Sequence, residues 1–271
     1  MFREAVLGAV QGLTEFIPVS SSGHLVLVPF VLGWPIPGLA FDVAVHLGTA
    51  AAVIVYFRRE LAGMIAGTVR TLAGRPQPAD RRQAGLALLL VLGSIPAALA
   101  GILLEGFFEN LFSEPPLVAL LLVGTAALLL TGEAVYARRP PEQARDITRI
   151  GWRDAVLVGM LQAVAIAPGI SRSGATIAAG LVGGLTRDAA ARFSFLLALP
   201  AIIGAGILKM GDLSVGKDLG PVLVATVTAA VTGFAAIAFL IRYLRVRDTR
   251  PFAWYCVLFA VVALGFWFQV K

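Results

Sequence analysis

The sequence predicts an all-α polytopic membrane protein, with six transmembrane helices plus two re-entrant helical hairpins in an inverted-topology repeat. Three observations lead there. The 271 residues are 58% hydrophobic and 14% charged, with a mean hydropathy of +0.87, outside the range of soluble domains. Uncharged runs such as 84–104 and 220–241 reach the roughly 20 residues a spanning helix needs, without the alternation of barrel strands. Two related stretches, each broken by Pro, Gly and Ser, occur one in each half, as inverted repeats require.

The elements follow in order. The first stretch, 1–39, opens "MFREAVLGAVQGLTEF"; Glu4 and Glu15 interrupt its apolar run and no small-residue cleavage site follows, so it reads as mature chain. Pro18 and the serines after it break the segment, which predicts a hairpin. Spans are predicted at 40–57, 84–104 and 116–137. The loop 138–153 leads to a second broken stretch, 154–188, and then to spans at 189–211, 220–243 and 251–270. All of this forms one integral domain, 1–271, with repeat one at 1–137 and repeat two at 154–271.

Loop charge orients the spans. Arg58, Arg59, Arg70, Arg75, Arg81 and Arg82 separate the first two spans; Arg138, Arg139, Arg145, Arg149 and Arg153 follow the third; Arg242, Arg245, Arg247 and Arg250 precede the last. By the positive-inside rule these three loops are cytoplasmic. The loop with Glu105, Glu109 and Glu114 has no Lys or Arg, and the one with Lys209, Asp212, Lys217 and Asp218 is balanced, so both face outward. Hairpin 1–39 then begins and ends outside, and hairpin 154–188 inside. A net charge of +6 and a pI near 10.1 arise from these loops and point to anionic lipid, with no nucleic acid as partner. Cys256 is alone, so no intrachain disulfide forms, and it reads as a small hydrophobe.

The hairpins carry the chemistry. "QGLTEFIPVSSSG" from Gln11 and "QAVAIAPGISRSG" from Gln162 both place Gln nine residues before Ser-[Ser/Arg]-Ser-Gly, with Pro18 and Pro168 out of step by one. Glu15, His24 and Arg172 would each cost several kcal/mol in lipid, so a protein interior or wet cavity is their place and function the default reading. Ser20, Ser21 and Ser22, and Ser171 and Ser173 around Arg172, can each start a half-helix, whose free N–H groups and positive dipole end suit an anion. Arg172 adds a planar donor fork matched to phosphate. Glu15 can hold a divalent cation, Mg2+ or Ca2+, on a diphosphate, or act as a base; His24 can activate a hydroxyl or protonate a leaving oxygen. Gln11 and Gln162 can touch the ligand or cap broken backbone.

Plainer readings stand beside these. Serines and glycines in membrane helices also serve close packing. Asp42 and His46, at i and i+4, are expected to pair with each other at the outer end of their span. Arg187, Asp188 and Arg192 read as interfacial, and Glu133 as snorkelling or pairing with the adjacent basic loop.

"QGLTEFIPVSSSGHL" and "PGISRSGATI", in this order and separation, resemble the undecaprenyl-diphosphate phosphatase family linked to bacitracin resistance. The resemblance covers essentially the whole chain. It implies an enzyme of the bacterial cytoplasmic membrane, its site opening to the outer face, that removes the terminal phosphate of a long polyprenyl diphosphate. The product is the monophosphate carrier of wall-precursor synthesis. By position, Glu15 matches the second acidic residue of the first motif, Ser21 its central serine, His24 its histidine, and Arg172 the arginine of the second motif. Gln11 stands where some members carry a first glutamate, which weakens any two-carboxylate metal site and leaves Glu15, helped by substrate oxygens or water, as the metal ligand. Ser21 is the first-choice nucleophile, His24 the second, with water activated by Glu15 and His24 as a third route. The expected partners are the lipid substrate and membrane lipids; a homodimer is compatible with the sequence. The rival function is a polyprenyl-phosphate transporter using the same anion site. The acid-phosphatase-like membrane family is rejected: its second motif needs His where Ala178 stands, and its Lys-x6-Arg-Pro element fails at Thr68, Gly132 and Tyr243.

Overall fold

The structure, a computed structural model, describes residues 1–112, 114–209 and 219–270. Twelve α-helices are described: α1 (Phe2–Phe16), α2 (Ser21–Leu32), α3 (Leu39–Tyr56), α4 (Arg58–Leu72), α5 (Pro78–Leu103), α6 (Glu105–Phe112), α7 (Pro115–Ala137), α8 (Trp152–Val164), α9 (Arg172–Gly183), α10 (Arg187–Lys209), α11 (Gly220–Leu244) and α12 (Arg250–Val270). Among the described residues there is no strand, only a single bridge between Arg145 and Leu185. The protein is an all-helical membrane protein.

Six helices are long and apolar enough to cross a membrane: α3, α5, α7, α10, α11 and α12. They match the six predicted spans, with one boundary displaced. Helix α5 starts at Pro78, six residues before the apolar run, because Asp80 accepts from the Gln77 amide at 3.0 Å and Pro78 occupies its first turn. The basic loop ahead of it is largely α4, a helix that the run of arginines concealed. Gly67 lets α4 approach the Asp80 backbone, and Arg70 pairs with Asp80 at 3.1 Å. Asp212, Lys217 and Asp218 of the predicted balanced loop, and Ser113, lie outside the described residues.

The broken stretches became the short helices. Helices α1, α2, α8 and α9 have 15, 12, 13 and 12 residues, about 18–23 Å at 1.5 Å per residue and short of a ~30 Å hydrocarbon core. Pro18 stops α1, and the backbone turns through Ser20, whose φ of 72° is the only positive value at a non-glycine residue among those described. Between α8 and α9 the chain turns through Pro168 and Gly169, the latter at φ 95°. A side chain there would strike the Val118 carbonyl of α7.

In lipid, helices associate through close packing more than through an apolar driving force, so small residues mark the contacts. Helix α11 is flanked on two sides. Gly8 and Gly12 bring α1 onto the backbone of Ala225 and Ala229, and Gly48 brings α3 onto the Thr226 carbonyl. In the other half, Gly159 brings α8 onto Gly93 of α5. The first helix of each broken pair thus packs against the second long span of the opposite half. The main core gathers Phe16, Phe57, Phe193, Phe195, Leu181 and Ile237, with Phe16 edge-on to Phe195 at 5.2 Å.

Candidate active site

Glu15 lies in the last turn of α1, and the start of two other helices is aimed at it. Ser21 is the first residue of α2 and Arg172 the first of α9, each preceded by a capping serine. Ser20 Oγ accepts from the Gly23 amide at 3.2 Å and Ser171 Oγ from the Gly174 amide at 3.0 Å. The two caps are local consequences of Ser at the boundary position. They leave the next residues, Ser21 and Arg172, pointing out of their helices.

These two meet on one carboxylate. Ser21 Oγ donates to Glu15 Oε2 at 2.5 Å, and Arg172 Nη2 donates to Glu15 Oε1 at 2.7 Å. Gln11, one turn earlier on α1, donates from Nε2 to Glu15 Oε2 at 3.1 Å. Arg172 is steadied from behind, where Nη1 donates to the Ser194 carbonyl of α10 at 3.1 Å. Glu15 and Gln11 are buried while Ser21 and Arg172 are partly exposed, and the guanidinium balances the carboxylate where an unpaired charge would be costly. The first amides of α2 and α9 have no intrahelical acceptors, so two helix N-termini converge with Arg172 on the same place.

The remaining candidates are placed differently. Ser22 Oγ lies 3.4 Å from Ser20 Oγ, and Ser173 Oγ 3.2 Å from Ser171 Oγ, so the outer serines of each triplet face each other. Gln162 joins no cluster; its amide nitrogen and oxygen are buried without a partner among the described residues, as is Gln11 Oε1. His24 faces α12. Its Nδ1 lies 2.7 Å from the Ser20 carbonyl and must carry the hydrogen, since a carbonyl only accepts. Nε2 is therefore the acceptor for the Tyr255 hydroxyl at 2.8 Å, and the ring stacks on Phe259 at 4.4 Å. None of these bonds reaches Glu15, Ser21 or Arg172.

His46 corrects a sequence expectation. It does not pair with the Asp42 carboxylate: its Nδ1 donates to the Asp42 backbone carbonyl at 2.7 Å, which turns Nε2 toward Glu15 Oε2, 3.7 Å away. Because α11 holds α1 and α3 side by side through Gly12 and Gly48, that proximity is a product of packing. Thr125 of α7 was also missed. Its hydroxyl donates to the Gly169 carbonyl and accepts from the Ser171 amide, both at 2.8 Å, satisfying the broken backbone ahead of α9. No local signal marks either residue.

Glu133 forms a second buried ionic site away from this cluster. It does not snorkel, nor does it pair with the neighbouring loop. Arg187 grips it with Nε at 3.0 Å and Nη2 at 2.6 Å, and the Thr249 amide and hydroxyl donate to Oε1 at 2.9 and 3.1 Å. The clasp ties α7, α10 and the start of α12. Arg192 and Asp188, read as interfacial, pair with each other at 2.9 Å, and Arg192 also reaches Glu60.

Among the described residues no three or more His, Cys, Asp or Glu side chains gather as a ready metal centre. The donors a hard cation would find are the Glu15 carboxylate and the orphaned Gln11 amide oxygen beside it.

Comparison with known proteins identifies the family. The family model described as "Bacitracin resistance protein BacA" matches residues 4–262. The chain is 43% identical to the undecaprenyl-diphosphatase of Geobacter sulfurreducens, over 99% of this chain and 98% of that one. It is 44% identical to undecaprenyl-diphosphatase 2 of Stutzerimonas stutzeri (96% and 95% covered) and 38% identical to undecaprenyl-diphosphatase 2 of Streptomyces coelicolor (97% and 93%). With its carboxylate, serine and arginine motifs brought to one buried point and a family match spanning nearly its whole length, the chain belongs to the bacitracin resistance protein BacA family.

Proposed function

We propose that this protein is a membrane phosphatase that hydrolyses a polyprenyl diphosphate, of the undecaprenyl class, to the monophosphate carrier lipid and phosphate. The observation that carries the reading is the Ser21–Glu15–Arg172 cluster: a hydroxyl already sharing its hydrogen with a carboxylate, beside a guanidinium at two helix N-termini. The names of the relatives supply the substrate class.

The chemistry follows from these groups. The terminal phosphate lies on the free amides of α2 and α9 and on Arg172, which stabilise the charge that spreads over its oxygens in the transition state. Ser21 Oγ attacks the terminal phosphorus while its proton passes to Glu15 Oε2. The bond from that phosphorus to the bridging oxygen breaks, and the lipid monophosphate leaves with the electron pair. Water then cleaves the seryl phosphate and restores Ser21. Ser21 ranks ahead of His24 because the lone pair on His24 Nε2 is occupied by Tyr255. His24 instead braces Ser20, whose carbonyl takes both its ring and its amide hydrogen.

In this reading the residues that would hold a divalent cation, Mg2+ or Ca2+, are Glu15 and Gln11 through Oε1, together with substrate oxygens. Such an ion would neutralise diphosphate charge that Arg172 leaves uncompensated. The broken pairs α1/α2 and α8/α9 are re-entrant hairpins of an inverted repeat, supported by their short lengths and by the reciprocal packing of α1 on α11 and α8 on α5. With the arginine-rich loops inside, His46 lies roughly 10 Å from the outer end of α3 at 1.5 Å per residue. The site accordingly opens to the outer face of the cytoplasmic membrane.

The test is phosphate release from farnesyl diphosphate by the purified protein in detergent, before and after metal removal. Detergent abolishes the two compartments that a transporter needs. Release that stops with chelator and returns with Mg2+ or Ca2+ supports both parts; metal-independent release removes the cation; no release under any condition removes the phosphatase.

A further inference from the structure

At the arginine-rich ends of the spans lies a cavity that the reaction does not use. It holds about 330 Å³ between the start of α4, the first turns of α5, the loop at 147–150 and the start of α10, at the lower end of the range for small-molecule sites. Arg82 and Arg192 stand at its mouth, near the starts of their helices. Leu89 and Leu196, deeper along the same two helices, make its inner part apolar together with Ile150.

The polar groups at the mouth differ in what they have left to give. Arg192 is committed: Nε donates to Asp188 at 2.9 Å and Nη1 to Glu60 at 3.3 Å. Arg82 and Gln83 have no hydrogen-bond or ion-pair partner among the described residues. Since Glu60 offsets Arg192, Arg82 leaves the lining with one uncompensated positive charge and, with the Gln83 amide, a set of free donors. A single charge carried on a fork of N–H groups matches a phosphodiester, whose one negative charge is spread over two free oxygens. Gly85 lies on the wall beside them. A Cβ there would meet nothing within 4 Å, so no close helix contact calls for the glycine, and its effect is to keep the cavity open.

The position of the cavity selects the source of the phosphodiester. By the charge of its loops this end of α5 faces the cytoplasmic leaflet, where basic pockets between spans take anionic headgroups. The cavity has room for a headgroup but not for acyl chains. Past it, α5 exposes Leu88, Val91, Ile95 and Leu99 at helical spacing, an apolar strip on which chains can lie. We infer that this cavity binds the headgroup of an anionic phospholipid of the cytoplasmic leaflet, with its phosphodiester on Arg82 and Gln83 and its chains along α5. The inference does not depend on the phosphatase reading, because binding is measured without turnover.

The protein is purified in neutral detergent and depleted of native lipid, and its unfolding temperature is followed as phosphatidylglycerol is added, with phosphatidylcholine and glycerol phosphate in parallel. Phosphatidylglycerol should raise it saturably, by about 5 °C or more at about 100 times the half-effect concentration. Phosphatidylcholine, which has no net charge, should not. Arg82→Gln should raise the half-effect concentration by about tenfold or more, and Gly85→Leu, which puts a side chain into the cavity and leaves the arginine in place, should abolish the response. Arg153→Gln, at an exposed arginine on the same side but outside this cavity, should respond as wild type does. No saturable rise in wild type, an equal rise with phosphatidylcholine, or a full response in either cavity variant would overturn the inference. A rise with glycerol phosphate equal to that with the lipid would also overturn it, by making the site one for a soluble phosphate. Where one cavity variant does not give monodisperse protein, the other decides.

Discussion

Ser21→Ala separates a nucleophile from a donor by magnitude. The substitution deletes one oxygen, whose contact is the 2.5 Å bond to Glu15 Oε2. Glu15 retains Arg172 at 2.7 Å and Gln11 at 3.1 Å, so its charge stays compensated and the fold should lose no more than the ~1.5–3 kcal/mol of one hydrogen bond to a charged group. Substrate affinity should change little, because Arg172 and the amides of α2 and α9 remain. If Ser21 only steadied the phosphate, removing that one donor would cost about 100- to 1,000-fold in kcat. As the attacking atom its loss should exceed about 10,000-fold, as removal of a nucleophile does in other covalent enzymes. The assay is phosphate release from farnesyl diphosphate, with binding of the uncleaved lipid measured in parallel and mass mapping of acid-quenched protein for phosphate on Ser21. Ser20→Ala and Ser22→Ala, which alter the cap and its neighbour, should be milder. Retention of about a thousandth or more of wild-type turnover without a phosphoenzyme, or phosphate mapped to His24, would refute the assignment.

Other expectations concern neighbouring parts of the protein. Arg172→Lys should lower kcat by at least about 100-fold despite the retained charge, because one ammonium cannot hold Glu15, the Ser194 carbonyl and phosphate in a planar fork; near-normal turnover in a folded variant would remove Arg172 from the clamp. A cysteine at Gln77, exposed between α4 and α5, should react with impermeant reagent only from the cytoplasm, and one at Ser113 only from outside; the reverse labelling inverts the topology. Glu133→Ala should destabilise the protein by ~3–5 kcal/mol, as breaking a buried ion pair does, seen as a lower unfolding temperature in detergent, because Arg187 and the Thr249 amide lose their acceptor together. An unchanged unfolding temperature would mean the clasp contributes nothing.

The spans and the two broken segments were legible in the sequence because their causes are local. Lipid makes each crossing segment satisfy its own backbone, so a run such as 220–243 declares itself as a helix wherever it packs. Pro18 and Pro168 stop a helix, and the serines after them start one, so Ser21 and Arg172 at first-turn positions follow from chain chemistry alone. Arginine asymmetry predicts an orientation on equally local grounds, since each loop is sorted by its own charge. The arginines also hid α4, whose helical period lies beneath its charge. Side-chain partners were decided by tertiary structure, because they depend on how each helix is rotated and on what lies across the interface. His24, inside a motif, is turned by α2 toward Tyr255, while His46, outside one, reaches Glu15 because Gly8, Gly12 and Gly48 let α1 and α3 settle against the same helix. Glu133 found Arg187 54 residues away, and Thr125 closed the break before α9 from 44 residues away. Spacing along one chain encodes which face a residue shares with its neighbours, but the meeting of Ser21, Arg172 and His46 on Glu15 exists only where four helices come together.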